Sequence, residues 1–248
     1  MNEQTKSKLA QLKLFGILEG IESQESSSHA IQRPFEERLT LLVDHEMTYR
    51  ENRRLHTLLR MAKLKDRGRL EDLRFLPDRN IDRALIANLS TCGWIGKGIN
   101  VLVTGATGTG KTFLACALGH QACIRGNPVQ FYKVSLLLDE LEQAKIDGTL
   151  RKKLAFVNRC ALLILDDLGI KPQLSPAEAE LLLEVLDGRW GSVATIVTSQ
   201  FPLDTWHKYL CAADPTAGDA LTDRLLTNAV RLELRGESQR QLKTPNLD

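Results

Sequence analysis

The chain has 248 residues, 43% of them hydrophobic and 26% charged, and 33 basic against 31 acidic side chains leave a formal net charge of +2. That length suits one large domain, or one domain with a smaller helical extension, and the composition is ordinary for a globular protein. No apolar run approaches the roughly 20 residues of a membrane span, and Met1-Asn2-Glu3-Gln4 carries no signal-peptide core, so the expectation is a cytoplasmic chain that is not exported.

Residues 1–90 read as helical and polar. Leu12, Leu14, Ile17, Leu18 and Ile21 predict a short amphipathic helix, ended by the Ser-rich stretch 23–28. Pro34, followed by Glu36 and Glu37, suits the start of the next helix. From there Phe35, Leu39, Leu42, Met47, Leu55, Leu58, Leu59 and Ala62 recur at mostly helical spacings, as one helix or two. Residues 50–69 hold eight basic side chains against Glu51 and Asp66, a local net charge of +6. Such a block is either a nucleic-acid footprint or a solvated helix face. Pro77 and Gly93 bracket a change of character. The expected division is a helical domain over 1–75, a linker over 76–98 and a second domain over 99–248.

From residue 99 short apolar strands alternate with amphipathic helices. Strands are predicted at 99–103, 129–133, 161–165, 193–199 and 230–234, and helices at 110–125, 135–146, 150–158, 176–186 and 217–227. This alternation predicts an α/β fold, a parallel five-stranded sheet with helices on both faces. Cysteines 92, 116, 123, 160 and 211 form no Cys-x-x-Cys pair, which suggests buried thiols in a reducing compartment.

Gly105-Ala106-Thr107-Gly108-Thr109-Gly110-Lys111-Thr112 matches G-x-x-x-x-G-K-[ST] in full and lies between a predicted strand and a predicted helix. The glycines let backbone N–H groups surround phosphate oxygens, and the helix adds its positive end to the same anion. This pattern points to ATP, with Lys111 reaching the β- and γ-phosphates, Thr112 offering a hydroxyl to Mg2+ and Phe113 beside the same site. The strand at 161–165 runs into Asp166 and Asp167, at the sheet edge where parallel sheets bind ligands. Asp166 suits the magnesium shell, and Asp167 is placed to orient or deprotonate a water. The fourth strand ends in Thr198, Ser199 and Gln200, any of which can hydrogen-bond near a γ-phosphate. Arg224, on a predicted amphipathic helix, is either a surface ion pair or an arginine finger for a neighbouring subunit.

These residues resemble the AAA+ ATPases, specifically the IstB-like transposition helpers and the related DnaC/DnaI helicase loaders. The resemblance rests on the loop at 105–112, Leu162-Leu-Ile-Leu-Asp-Asp-Leu-Gly169, Thr198–Gln200, Asp223-Arg224-Leu225 and Gly236-Glu-Ser-Gln-Arg240. It also takes in Phe35-Glu-Glu-Arg-Leu39, Ala62-Lys63-Leu64 and Cys92-Gly-Trp-Ile95 in the N-terminal part. That reach favours the transposition helpers; a helicase loader is the nearest rival, and a small-molecule P-loop kinase a more distant one. The resemblance implies ATP hydrolysis, a homo-oligomer with Arg224 as a finger in trans, and Gln200 as sensor with Ser199 as the alternative. It implies duplex DNA and a transposase as partners. Arg53, Arg54, Arg60 and Lys63 are the N-terminal candidates for DNA, and Lys145, Arg151, Lys152 and Lys153 those of a helical insertion after the second strand. Arg240 would sense nucleotide in relatives, but only eight residues follow it, so little or no C-terminal lid is expected.

Overall fold

The computed structural model describes residues 2–27, 32–212 and 214–239, and the chain divides into two compact units, Met1–Thr57 and Leu58–Asp248. In the first unit, α1 (Glu3–Gln11) and α2 (Phe15–Glu25) precede the long helix α3, a single helix over Phe35–Ala62. The chain does not form one helix through Leu12 and Ile21. It breaks at Lys13, whose φ is 59°, and Leu12 is 67% exposed. Leu14, Ile17, Leu18 and Ile21 share a helical stripe that Leu12 cannot join, and the break lets α2 start afresh on that stripe.

The α2–α3 seam is built on small residues. A Cβ on Gly16 would lie 2.6 Å from the Glu46 Cα, and one on Gly20 would lie 2.9 Å from Leu42. Backbone approach of that closeness needs glycine. Glu46 is buried in the seam, where it accepts from the Ile17 N–H at 3.0 Å and from Arg50 Nε at 2.7 Å. Burial pushes its carboxyl up, but Arg50 and the Ile17 amide outweigh that and hold it below its ordinary value of 4.5. Phe35, Leu39 and Met47, which the apolar repeat made candidates for packing, are exposed. Of that repeat Leu42 meets the seam at Gly20 and Ala62 is fully buried, so the repeat marks the buried face only in part.

In the second unit five parallel strands are ordered β2-β3-β4-β1-β5: β1 (Asn100–Gly105), β2 (Val129–Lys133), β3 (Leu162–Leu168), β4 (Ala194–Ser199) and β5 (Ala229–Leu234). The helices are α4 (Arg83–Ser90), α5 (Lys111–Ile124), α6 (Val134–Ile146), α7 (Leu150–Asn158), α8 (Pro176–Asp187), α9 (Trp206–Leu210) and α10 (Pro215–Leu226). Strand residues alternate between faces. Leu102, Leu163, Leu165 and Val197 join a core with Leu137, Leu141, Leu182, Val185 and Leu221 from α6, α8 and α10. On the other face α5 lies against the sheet, with Gly119 opening room for Ile164. Ser175 starts α8 with a capping box to Glu178. Among the described residues no helix is long and apolar enough to cross a membrane.

The compact division at Thr57 differs from the boundaries that composition suggested. The stretch 76–98 forms α4 and packs its Ile86, Leu89, Trp94 and Ile95 into the interior, with Trp94 Nε1 donating to the Leu89 carbonyl at 2.8 Å. Its polar surface hid this. Within α4 the buried residues are Ile86 and Leu89, three positions apart on one helical stripe.

Candidate nucleotide-binding site

The loop at 105–112 leaves β1 and enters α5 through three glycines with positive φ: Gly105 at 145°, Gly108 at 87° and Gly110 at 95°. A Cβ on Gly105 would meet the Leu234 carbonyl oxygen of β5 at 2.2 Å, so this position admits only glycine. Lys111 folds back over the loop, donating to the Gly105 and Ala106 carbonyls at 2.7 and 2.8 Å. Thr109 Oγ1 donates to the Ala106 carbonyl at 2.9 Å and tightens the same turn.

Opposite the loop, β3 carries a register irregularity against β4 between Leu165 and Leu168. Asp166 and Asp167 occupy it. Bulges re-aim side chains, and here Asp167 takes a left-handed φ of 64°, which aspartate tolerates better than most residues. Asp166 is fully buried, and its Oδ1 accepts from Thr112 Oγ1 at 2.8 Å and from Thr198 Oγ1 at 2.7 Å. Its Oδ2 is buried without a hydrogen-bond partner, and Lys65 Nζ stands 3.9 Å away. An orphaned carboxylate oxygen beside a threonine hydroxyl is the donor chemistry a hard divalent cation takes, so the residues fit magnesium. Asp167 Oδ2 lies 3.7 Å from Lys133 Nζ at the end of β2.

A cavity of about 780 Å³ opens over the loop, with Lys111, Thr112, Phe113, Asp167 and Gln200 among its lining residues. Gln200 reaches the loop directly, accepting from Thr107 Oγ1 at 2.9 Å. Ser199 does not line the cavity. Its hydroxyl is turned inward, donating to the Leu168 carbonyl at 2.7 Å and accepting from the Phe201 amide at 3.1 Å. Arg224 also stands apart from this cavity. It is bound to Asp187 at 2.8 Å and Asp223 at 3.1 Å and stacks over Trp190. Arg240 lies outside the described residues.

The basic candidates separate. Arg53, Arg54, Arg60, Lys63, Lys145, Arg151 and Lys152 are exposed. Lys153 is half-buried and committed to Glu140 and to the ring of Tyr132, which removes it from any simple surface patch. Part of the 50–69 basic block has another position altogether, since Lys65 and Arg67 line the cavity.

Three features of the site were not read from sequence. Arg79 is buried, and its Nη1 and Nη2 donate to the Arg74 carbonyl at 2.9 Å and the Thr109 carbonyl at 2.8 Å, tying 74–79 to the loop. Burial lowers its pKa, and no carboxylate contact restores it in full. Thr198 links the two acids, donating to Asp166 and accepting from the Asp167 amide at 3.0 Å. Residues 236–239 of the C-terminal motif reach the loop, as the Gln239 amide donates to the Gly108 carbonyl at 2.9 Å. Thr198 had a local signal in its place at a strand's carboxyl end and 236–240 had one in its motif, whereas Arg79 had none.

Strand order, bulged acids and glycine loop together define a P-loop nucleotide-binding protein with the AAA+ fold. The family model described as IstB-like ATP binding protein matches residues 7–246, and the chain belongs to that family. It is similar to insertion sequence ATP-binding protein y4uH of Sinorhizobium fredii, 41% identical over 237 residues, 96% of this chain and 94% of the relative. The insertion sequence IS1162 ATP-binding protein of Pseudomonas fluorescens is 42% identical over 208 residues, 83% of this chain and 89% of that one. Among solved structures, DnaI aligns with a TM-score of 0.58 at 23% identity, covering 70% of this chain and 91% of its own. The DnaC helicase loader aligns at 0.56 and 23%, covering 66% and 95%. AMPPCP-bound DnaA of Aquifex aeolicus aligns at 0.57 and 18%, covering 72% and 53%. At these identities the solved structures establish the fold alone.

Proposed function

We propose that this chain is the ATP-hydrolysing helper of an insertion sequence, which assembles on duplex DNA in the cytoplasm and engages a transposase there. The observation that carries this reading is the match of almost the whole chain to insertion sequence ATP-binding proteins. The helicase loaders share the fold but supply no such similarity in sequence.

In this reading the glycine loop cradles the ATP phosphates, and Lys111 exchanges its loop carbonyls for the β- and γ-phosphate oxygens. Thr112 and Asp166 would hold a magnesium ion, whose charge would offset that developing on the phosphates. Asp167 orients or deprotonates the attacking water, and Gln200 hydrogen-bonds beside the γ-phosphate. Arg224, outside its own cavity, serves the site of an adjacent subunit, so hydrolysis requires a homo-oligomer. The exposed basic side chains, Arg53 and Arg54 in one unit and Arg60, Lys63, Lys145, Arg151 and Lys152 in the other, contact DNA phosphates.

The test is ATPase rate and particle size of the full chain, each measured with and without duplex DNA and the transposase encoded beside it. DNA should raise both rate and size with ATP, and the transposase should join the assembly. A monomer with DNA-independent turnover sinks the proposal. Retention of a replicative helicase without transposase would favour a loader.

A further inference from the structure

His207, Cys211 and Asp219 converge at the corner between α9 and α10, on a part of the surface that the nucleotide site does not use. Cys211 Sγ lies 3.5 Å from His207 Nε2 and 3.6 Å from Asp219 Oδ1, and the latter two atoms are 2.8 Å apart. They are the one His/Cys/Asp/Glu group of this kind among the described residues. With Zn–S near about 2.3 Å and Zn–N or Zn–O near about 2.0–2.2 Å, the edges of a tetrahedral site measure roughly 3.3–3.6 Å. Both sulfur edges already have that length. The nitrogen–oxygen edge needs to open by about half an ångström, a small side-chain rotation at an exposed histidine and aspartate.

The backbone builds this convergence. His207 and Cys211 are four residues apart, which stacks them on one side of α9 and its C-terminal cap. Asp219 comes from α10, whose start is fixed by Asp214 accepting from the Thr216 and Ala217 amides. Gly218 then allows near-contact, since a Cβ there would lie 2.4 Å from the Cys211 Cα and 2.7 Å from its Sγ. Trp206, Leu210, Ala217 and Leu221 are buried beneath the corner and hold the two elements as a platform. The other four cysteines are all buried, so Cys211 is the thiol set apart for solvent chemistry.

We propose that His207 Nε2, Cys211 Sγ and Asp219 Oδ1 bind one zinc-class divalent cation, with water in the fourth position. Thiolate and imidazole select a borderline-soft metal over magnesium, and one thiolate with one carboxylate balances its two charges. The site releases the thiol proton to solvent as the metal enters. Because Asp219 and Arg224 share α10, the ion braces the helix that presents Arg224 while leaving the nucleotide cavity untouched.

The experiment uses the full untagged chain, stripped of metal and kept reduced. Zinc is titrated in competition with a chromophoric chelator, and cobalt is titrated separately to read the thiolate-to-cobalt charge-transfer band. The wild-type chain should bind one equivalent of zinc and show that band. Cys211→Ser should lose it, and Cys211→Ser and His207→Ala should each weaken zinc binding by at least about tenfold. Lys111→Ala should bind zinc as wild type, which separates this site from any reading of the nucleotide cavity. Undiminished affinity in the Cys211 and His207 variants, with circular dichroism unchanged, or a wild-type cobalt spectrum without thiolate character, overturns the proposal.

Discussion

Replacing Asp166 with asparagine removes one charge and almost no volume from a fully buried position at the site. The amide oxygen can still accept from Thr112 and Thr198, at 2.8 and 2.7 Å in the native chain. Hydrogen bonds to a charged group are worth about 1.5–3 kcal/mol and neutral ones about 0.5–1.5, so the pair should weaken by about 2 kcal/mol in total. Relief of a buried, half-orphaned carboxylate works in the other direction. Asp166→Asn should therefore stay folded, losing no more than about 2 kcal/mol against urea. The metal has no such compensation. Magnesium should raise ATP affinity in the wild type, and in the variant this gain should shrink at least about tenfold, or by about 1.4 kcal/mol. The assay is ATP binding by calorimetry with magnesium and with EDTA, beside urea denaturation of the same samples. A folded variant with an undiminished magnesium effect would refute the assignment of Asp166.

Gly108→Ala places a Cβ at φ 87° and 2.2 Å from Ser238 Oγ, so it should weaken ATP binding. Adding Ser238→Gly should restore part of the loss; a double variant no better than the single one excludes the 236–239 contact as the cause. Arg224→Ala should bind ATP as tightly as wild type, yet its turnover should fall by about a thousandfold or more. Mixing it with Asp167→Asn subunits should restore turnover, and failure to do so rejects a shared site. Glu46 and Glu178 are both held below their ordinary 4.5: burial raises each, but Arg50 and the Ile17 amide, and Lys171 and Ser175, prevail. A depressed carboxyl contributes stability that is present above the unfolded value and lost as pH falls through the folded one. The urea midpoint should accordingly hold steady near neutrality and fall below about pH 4.5. Glu178→Gln should flatten that fall, and an unchanged acid profile rules its carboxylate out as a source.

Local pattern was enough for the five strands and for every helix from residue 99 onward except the short α9, and the predicted and observed ends agree within a few residues. Helix α7 begins and ends at the predicted residues, 150 and 158. The helices carry a 3.6-residue period, and β1, β3 and β4 are short apolar runs buried on both faces, as central strands of a parallel sheet are. The glycine loop was legible for the same reason: its chemistry lies in eight consecutive residues. The turn at Lys13 and helices α4 and α9 were missed because segments of eight residues or fewer span about two helical turns at most, too short for a period to show.

The sequence by itself determined the α/β alternation, the phosphate-binding loop and the pair of acids at the end of β3, because each is encoded within one short stretch. Only the tertiary structure decided that Gln200, just past the end of β4, meets Thr107 of the loop while Ser199 turns inward to the Leu168 carbonyl. It also brought Lys65 within 3.9 Å of Asp166 and Arg79 onto the loop, and set Arg224 apart from its own cavity. Those placements depend on strand register, a bulge and helix packing between residues as many as a hundred positions apart. No local period carries that information.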